Sequence, residues 1–544
     1  MSDLVLQNGT IYDGSGGNPY PGDVAIQGDQ IVALGAPGTL DGNLKIDVSG
    51  LAVAPGFINM LSWSVETLIE DGRSQSEIRQ GVTLEVMGEG TSMGPLSPAM
   101  KAANTRTILG NRFIHYDVEW TTLGEYLEFL ERRGVSTNVA SFVGSSTLRV
   151  HEIGYEDRPP SPGELDRMCE LVRQAMREGA VGLSAALIYP PASYATTEEL
   201  IALAKAAAEY DGIYISHLRS EGPFFVQAAQ ELLTIAREAR IRAEIYHLKA
   251  AGRENWHKMD EVIQLVETAR AAGLPVSADM YMYPAGGTGL NACIPPWAHS
   301  GGDAALLERL KDPETRARIV REMETPSDEW ENMWLEVDSP DRILLAGFTT
   351  QALHPLTGKT LAQVAAERGT KPIDTLVDLL IEDGGRIFTL YFTMSEDNIR
   401  KQVQLPWVSF CSDAESMADE GVFLQWQPHP RAFGNFARVL GTYVRELGLV
   451  TLQDAIRRLT SLPATHLKLD RRGALKSGYF ADVVVFDPAA ITDHAKFGDP
   501  HHYATGMQHV FVNGQQVIKD GDHTGAKPGR VVRGPGWTGR SASR

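Results

Sequence analysis

Segments of strand type and helix type alternate between Ser161 and Tyr283 with a period of about 30 residues, the length of a unit in which a helix joins two parallel strands. The helix predicted at Ser161–Glu178 has apolar residues at helical spacing, begins with a capping box of Ser161 and Glu164, and is followed by Gly179. A chain with this repeat folds around parallel strands, either as a closed barrel or as an open doubly wound sheet.

The number of strands favours the barrel. Four strands lie within the repeat itself, and four more are predicted at Gly56–Trp63, Thr83–Gly88, Asn138–Val143 and Trp407–Ser412. The glycine-rich phosphate turn with a downstream acid, expected for a dinucleotide-binding open sheet, is absent from the sequence. The sequence therefore predicts an α/β protein with a (β/α)₈ TIM barrel at residues 56–474.

The two chain ends resemble each other and differ from the middle. Short β-type runs separated by Gly, Asp and Asn turns occur at Leu4–Asp13, Asp23–Leu34, Leu44–Ala54, Ala481–Asp487 and Val510–Lys519. Neither end alone has enough strands for a stable sheet, whereas both together do. We therefore expect residues 1–55 and 475–544 to form one small β-sandwich domain.

Two stretches interrupt the regular repeat. The stretch Gly90–Ser136, rich in Trp, Tyr and Glu, predicts an extra helical cover between the second and third strands. The chain between Tyr283 and Trp407 is too long for one ordinary connection, which predicts an insertion at about residues 290–350. This insertion either borders the pocket, with its segment Ile294–His299, or packs on the outside of the barrel.

The composition restricts the kinds of partner. The formal net charge is −19, from 69 acidic and 50 basic residues distributed along the chain, which argues against nucleic acid or an anionic membrane as a partner. Three widely separated cysteines form no CxxC pair, and no stretch approaches the length of a membrane span. These features predict a cytoplasmic protein. Its oligomeric state stays open, and a homo-oligomer fits the sequence.

His217 and His247 lie one repeat apart, and each comes one or two residues before the end of its predicted strand, in ISHLR and IYHLK. Neighbouring strands of a barrel are about 4.8 Å apart, so equivalent positions at their carboxyl ends bring the two imidazoles together on the catalytic face. A single histidine there would fit a hydrogen-bonded core position. A matched pair predicts a metal site.

Two carboxylates are predicted at the same face. Glu89, in MGEG, ends the second strand, and Asp413, in FCSD, ends the eighth. A first-row metal needs an anionic ligand and an open position for water, and both residues can help to complete such a site. Without a metal, Glu89 would stabilise a turn and Asp413 would cap a helix. The glycines on both sides of Glu89 allow close backbone approach, which favours it as a ligand.

A set of ordered segments spans the chain from about Leu4 to Gly521. The segments are APGFIN, GVTLEVMGEGTSMGP, FVGSSTLR, GLSAALIYPPASYATTEEL, SHLRSEG, HLKAAG, SADMYMYPAGGTGL, CSD, PHPRAFGNFARVLG and GALKSGYFADVVVFD. Some are common when taken singly, but the ordered set is highly specific. It resembles the N-acyl-D-amino-acid deacylase (D-aminoacylase) family of the amidohydrolase superfamily.

The resemblance implies hydrolysis of the amide bond of N-acyl-D-amino acids by a zinc-activated water in a barrel. By matching motifs, it implies His217 and His247 as zinc ligands and Asp413 as the general acid and base. The implied partner is a small anionic substrate, an N-acyl amino acid.

The resemblance also implies a site for the substrate carboxylate. The residues are Lys249, two positions after the second histidine, Tyr283 in DMYMYPAGGT, and Arg431 in PHPR. Independently of the family, a lysine and an arginine fork near one cation can hold an anionic substrate end. Outside such a site, Arg431 would pair with a surface acid and Tyr283 would belong to the core.

The chain departs from the family pattern at the first strand. The superfamily usually carries His-x-His after PGFI, where this chain has Leu61 and Trp63 in PGFINMLSWS. Glu89 stands where the family has a bridging cysteine, one residue earlier, and a glutamate is still a hard anionic ligand. The sequence therefore predicts one zinc ion, held by Glu89 and the two histidines. Leu61 and Trp63 are expected to line a drier wall of the substrate pocket.

Other functions fit the same sequence. With the first-strand ligands missing, cleavage of a cyclic amide, a peptide, a carbamate or an ester, or a decarboxylation, stays open on this barrel. A non-catalytic barrel that lost its chemistry is a second alternative, and the retained histidines and Asp413 speak against it. A scaffold role finds no support in repeats, coiled coils or long low-complexity segments.

Overall fold

Eight parallel strands form the centre of the fold in a computed structural model that describes residues 2–103, 113–327 and 329–539. In chain order they are β1 (Phe57–Ser62), β2 (Val82–Met87), β3 (Asn138–Ser141), β4 (Gly182–Ala186), β5 (Ile213–His217), β6 (Arg242–Ile245), β7 (Val276–Met280) and β8 (Val408–Phe410). Every strand predicted for the middle of the chain is present, and the protein is of the α/β class.

Each of these strands pairs with its neighbour in the sequence. β1 to β3 form one run of parallel pairing, and Val143–Gly144, which continues β3, pairs with β4 to begin a second run that ends at β8. The two runs meet beyond β8, where Ser62 and Ala414 form a parallel bridge. There the N–H of Trp63 donates to the carbonyl of Ala414 at 2.9 Å. The carboxyl ends of the first and last strands therefore lie side by side.

Helices connect successive strands. The helix Pro162–Glu178 begins after Ser161, whose side chain accepts a hydrogen bond from the N–H of Glu164, and ends at Gly179 with a φ of +106°. The predicted capping box and helix stop are confirmed.

The α-helices lie between and around the strands. The α-helices are Thr67–Glu70, Gln75–Ile78, Pro98–Ala103, Leu123–Arg133, Ser145–Glu152, Pro162–Glu178, Thr197–Ala208, Phe225–Ala239, Lys258–Ala271, Asp303–Lys311, Pro313–Met323, Met333–Glu336, Leu361–Arg368, Pro372–Asp383, Glu396–Gln402, Arg431–Arg438, Leu452–Leu459 and Ser461–His466. A π-helix, Val439–Glu446, follows Arg431–Arg438 directly. Within the described ranges, no helix is both long enough and apolar enough to cross a bilayer.

The two chain ends share one nine-stranded sheet. Its strands are Ser2–Ile11, Tyr20–Gln27, Gln30–Gly35, Gly42–Asp47, Ala52–Pro55, Val483–Phe486, Met507–Val512, Gln515–Lys519 and Asp522–His523. Ala52–Pro55 pairs antiparallel with Val483–Phe486, which places Val53 opposite Val485. The predicted pairing of the two chain ends is confirmed, and buried apolar residues from both ends pack together beneath the sheet.

A separate three-stranded sheet lies in the long connection between β7 and β8. Its antiparallel strands are Gly286–Gly289, Ile343–Gly347 and Phe388–Tyr391, with the last in the middle. Buried apolar side chains from residues 290–391 pack into a core of their own, separate from that of the parallel strands. We call residues 286–391 the inserted unit. In the other long stretch, between β2 and β3, two of the helices given above lie on either side of residues 104–112, which are outside the described ranges.

Candidate metal centre

Three predicted ligands converge at the carboxyl ends of β2, β5 and β6. Oε1 of Glu89 lies 3.2 Å from Nδ1 of His217 and 2.9 Å from Nε2 of His247. The two imidazole nitrogens are themselves 2.9 Å apart, and all three side chains are buried. One oxygen and two nitrogens therefore form a small triangle of potential ligand atoms.

This donor set fits zinc. In tetrahedral coordination with ligand bonds of about 2.0–2.1 Å, neighbouring ligand atoms lie about 3.3 Å apart, close to the sides of the observed triangle. One carboxylate and two imidazoles also leave a position for water or substrate, as a catalytic zinc site requires. The three residues can thus hold a metal ion with small adjustments of their side chains.

Two glycines aim Glu89 at the histidines. Gly88 and Gly90 have φ angles of +99° and +60°, a conformation that residues with a side chain rarely adopt. A Cβ on Gly90 would also lie 2.5 Å from the Cβ of Ala186 in β4. The close backbone approach expected from the sequence is therefore observed, and the turn around Glu89 depends on it.

His247 does not lie at the position predicted for it. His217 is the last residue of β5, but β6 ends at Ile245, and His247 follows two residues later with a φ of +31°. Its backbone N–H leaves the strand pairing and donates to Oδ1 of Asp279 at 2.6 Å. The two histidines are thus not equivalent in register, and they present different nitrogens to the site, Nδ1 of His217 and Nε2 of His247.

Glu221, which was not predicted from the sequence, lies behind both imidazoles. Its Oε1 is 3.1 Å from Nδ1 of His247, and its Oε2 is 3.5 Å from Nε2 of His217. A carboxylate at the outer nitrogen fixes the tautomer and the orientation of a metal-binding histidine. A signal for it exists in SHLRSEG, where an acid follows His217 by four residues in the loop after β5.

Lys249 is engaged with this carboxylate. Its Nζ lies 2.8 Å from Oε1 of Glu221 and 2.6 Å from Nδ1 of His247. The lysine predicted to bind substrate therefore also neutralises the carboxylate that orients the two histidines.

Burial and neighbouring charges shift the pKa values of the side chains in this centre. Burial raises the pKa of Glu221, but the positive charges around it outweigh burial and lower the pKa to about 2. Burial and Lys249 lower the pKa of His247, whereas the carboxylates around it raise the pKa to about 10. Burial is the largest of several causes that lower the pKa of His217. The carboxylates are therefore in the form that binds cations, and a metal ion has to displace a proton from His247.

Asp413 lies just beyond β8, and two side chains hold its carboxylate. Nε1 of Trp63 donates to Oδ1 at 3.2 Å, and Nη1 of Arg431 lies 2.8 Å from Oδ2. The backbone N–H of Asp413 donates to the carbonyl of Leu61 at 3.0 Å. Asp413 belongs to the same centre, because its charge contributes to the raised pKa of His247.

Tyr281, which was not predicted from the sequence, contacts both cations of the centre. The guanidinium carbon of Arg431 is 4.3 Å from the centre of the Tyr281 ring, and Nζ of Lys249 is 5.8 Å from it. Tyr283 instead donates its hydroxyl to Oδ2 of Asp493 at 3.3 Å. Both tyrosines follow the end of β7 at Met280, and a role of Tyr283 in substrate binding stays a prediction.

Tyr189 is a further residue that the sequence did not reveal. Its ring centre lies 5.3 Å from that of His217, and Thr288 of the inserted unit is close enough to its hydroxyl to affect the pKa of that group. Burial raises the pKa of this hydroxyl, and the carboxylates of the centre add to the effect. The tyrosine therefore connects the inserted unit to the metal centre.

Known proteins resemble this chain over nearly its whole length. The model of the amidohydrolase family matches residues 45–518. D-Aminoacylase of Alcaligenes xylosoxydans xylosoxydans is 34% identical over 535 residues, which cover 97% of each chain.

Two solved structures are similar over the whole fold. One is D-aminoacylase, in which one metal activates and a second attenuates; its TM-score is 0.81 at 31% identity, with 98% of this chain and 100% of the other covered. The other is N-acyl-D-glutamate deacylase from Bordetella bronchiseptica, in complex with zinc and a phosphonate that mimics the tetrahedral intermediate. Its TM-score is 0.81 at 28% identity, covering 98% and 99%. The chain therefore belongs to the amidohydrolase family, in the group that contains D-aminoacylase and the N-acyl-D-amino-acid deacylases.

Proposed function

We propose that this protein is a one-zinc deacylase that hydrolyses the amide bond of N-acyl-D-amino acids. The observation that carries the proposal is the triangle of ligand atoms from Glu89, His217 and His247. The full-length similarity to D-aminoacylase and to the N-acyl-D-glutamate deacylase supports the same reaction.

The ion and the chain divide the chemistry. A bound zinc ion supplies a Lewis acid that polarises the amide carbonyl and acidifies water. Asp413 is the general base: its Oδ1, held by the longer of its two contacts, takes the proton of the attacking water. The same oxygen then passes that proton to the leaving amine nitrogen. Trp63 and Arg431 keep the carboxylate oriented through both transfers.

Arg431 is placed to bind the carboxylate of the substrate. It is 3% exposed, and among the described residues none accepts a hydrogen bond from its Nε. Its guanidinium lies on the ring of Tyr281, which leaves the edge of the group for an anion. Lys249 adds a second positive charge beside the same ring. Fixing the substrate at one end in this way aligns the scissile bond and lowers the entropic part of the barrier.

The first strand supports a single ion. Leu61 is fully buried in the apolar core, and the indole N–H of Trp63 is occupied by Asp413. Neither side chain carries a lone pair that binds zinc. We infer that Glu89 and the two histidines hold one ion and that Trp63 forms part of the pocket wall.

The proposed function also includes a domain architecture and a cellular location. We infer that β1 to β8 close into a (β/α)₈ barrel over residues 56–474, which the bridge between Ser62 and Ala414 supports. Residues 1–55 and 475–544 form the β-sandwich, and the inserted unit emerges from the barrel between β7 and β8. The three free cysteines are in keeping with the reducing environment of the cytoplasm.

The test combines metal analysis with a substrate panel. Purified protein, freed of metal and reloaded with one equivalent of zinc, is assayed on N-acetyl amino acids of both enantiomers. We expect turnover of D substrates that disappears in His217→Ala, while the exposed control His257→Ala keeps the activity of the parent. A parent that binds zinc but hydrolyses none of these amides, or a His217→Ala variant with full turnover, would refute the proposed function.

A further inference from the structure

A carboxylate of the inserted unit is bound to the turn that carries Glu221. Oε2 of Glu331 accepts a hydrogen bond from the backbone N–H of Glu221 at 2.6 Å and another from that of Gly222 at 3.4 Å. The N–H of Gly222 also donates to Oγ of Ser220 at 3.2 Å. One oxygen of Glu331 therefore contacts two successive peptide groups of the turn 220–222.

A second acid from the same segment packs against this turn. A Cβ on Gly222 would clash with Oε1 of Glu336, so the carboxyl group of Glu336 lies directly against the turn. Burial, followed by the charges of Glu331 and Glu221, raises the pKa of Glu336, so its carboxyl group lies near both of these acids. The two acids of the inserted unit therefore approach the turn together.

The turn is also held from its other side. The carbonyl of Glu221 accepts a hydrogen bond from the N–H of Ala251 at 2.7 Å, in the loop after β6. The backbone of Glu221 is thus fixed between the inserted unit and the loop that carries His247. Because the carboxylate of Glu221 contacts the outer nitrogen of each histidine, a displacement of this turn would reorient both ligands.

We propose that Glu331 is a positioning residue for the metal centre, which holds the turn 220–222 so that Glu221 orients both histidines toward the ion. Glu331 acts through Glu221, since its carboxylate accepts hydrogen bonds from the backbone of the turn that carries Glu221. This inference deepens the proposed one-zinc function and rests on it. The inserted unit, although distant in sequence from the metal ligands, would then contribute to the affinity for the metal ion.

The test measures zinc affinity in the full chain by competition with a chromophoric chelator, together with the visible absorption of the cobalt-substituted protein. Glu331→Leu removes the acceptor, and we expect an affinity lower by about 10- to 100-fold, the usual effect of losing an outer partner of a metal ligand. The cobalt bands should shift at the same time. Glu331→Gln keeps an acceptor oxygen and should stay close to the parent. The exposed acid Glu329, in Glu329→Leu, is the matched control.

A fourth variant, Glu331→Asp, tests the positioning role of Glu331 if Glu331→Leu does not fold. Glu331→Asp keeps the charge, but its shorter side chain moves the carboxylate away from the N–H groups of the turn. We therefore expect Glu331→Asp to bind zinc more weakly than the parent, whereas Glu331→Gln should not. Folded Glu331→Leu and Glu331→Asp proteins with parental zinc affinity and parental cobalt bands would overturn the inference. A parent that binds zinc but deacylates nothing would instead refute only the proposed function, because the affinity comparison needs no substrate. A parent that binds no zinc would refute both.

Discussion

Nδ1 of His217 faces Nε2 of His247 across 2.9 Å. Two neutral imidazoles cannot both direct lone pairs at one point without a proton or a cation between them. Because Oε1 of Glu89 completes the triangle on the same side, a divalent cation satisfies all three groups at once. Removing a ligand of the ion and removing a partner of a ligand should therefore have different effects on zinc binding.

Glu89→Ala should abolish stoichiometric zinc binding, because it removes the anionic ligand and leaves two imidazoles. Glu221→Gln should retain the ion but bind it about 10- to 100-fold more weakly, since it disturbs only the outer nitrogens. Metal content after dialysis, followed by chelator competition, separates the two effects. Equal zinc content and equal affinity in both variants would contradict the assignment of Glu89 as the ligand.

Zinc beyond one equivalent should leave the rate of the parent protein unchanged, because Leu61 and Trp63 supply no ligand atoms for a second ion. The measurement is a titration of the metal-free protein with zinc, followed by both activity and bound metal. The double variant Leu61→His with Trp63→His rebuilds a His-x-His pair and should bind additional zinc. Inhibition of the parent that grows with a second bound equivalent would show that other residues complete a second site.

Asp413→Asn should lower kcat by about 10²- to 10⁴-fold, the usual contribution of a general base, with zinc content unchanged. The asparagine keeps the size of the side chain and can still accept from Trp63, but it cannot take a proton. Steady-state kinetics on zinc-loaded protein, with metal analysis of the same sample, provide the measurement. Unaltered kcat would remove Asp413 from the proton transfer.

Tyr281→Leu and Tyr283→Phe should have different effects. Loss of the ring beneath Arg431 removes a buried cation–π contact of about 1–2 kcal/mol, which corresponds to a KM higher by roughly 5- to 30-fold. Tyr283→Phe removes the hydrogen bond to Asp493 and should cost about 1 kcal/mol of unfolding free energy with KM unchanged. KM and the free energy of unfolding in urea are measured for both variants. A higher KM in Tyr283→Phe together with an unchanged KM in Tyr281→Leu would contradict this assignment.

The free energy of unfolding should decrease as pH rises from about 4.5 to about 7 because of Glu415. Burial, followed by the charge of Glu66, raises the pKa of Glu415 to about 7 in the folded protein, above the ordinary value of 4.5. A raised carboxyl pKa stabilises the fold fully below the unfolded value, and this share is lost as pH rises through the folded one. Urea unfolding of Glu415→Gln at pH 5 and pH 7.5 should show a smaller decrease than the parent. The exposed control Glu254→Gln should not differ from the parent.

The sequence predicted the strands and the ligand types better than the loops. The strand segments and the capping box at Ser161 depend on local periodicity, which the structure bears out. The placement of His247 depends on where β6 stops, and the position of Tyr281 beside Arg431 and Lys249 depends on the loop after β7. Long-range hydrogen bonds help to set such ends, for example the one that the backbone N–H of His247 donates to Asp279, and a single sequence does not reveal them.

Glu221 and Glu331 illustrate a second limit. Both lie in loops far apart in sequence, and their contact joins the turn after β5 to the inserted unit. Acids are common in loops, so Glu331 does not stand out by type or spacing, and the four-residue spacing between His217 and Glu221 is only a weak signal. Only the fold brings them together with the histidines.

The shared sheet of the two chain ends has a consequence for biosynthesis. The strand Ala52–Pro55 leaves the ribosome early, but its partner Val483–Phe486 is made near the end of translation. At about 5–20 residues per second, the early strand waits roughly 20 to 90 s with an unpaired edge. During that interval the nascent chain presents apolar β-structure that ordinarily needs protection from association. Shortening the wait, for example with a circular permutant that joins the two ends and begins at β1, should raise the yield of folded protein.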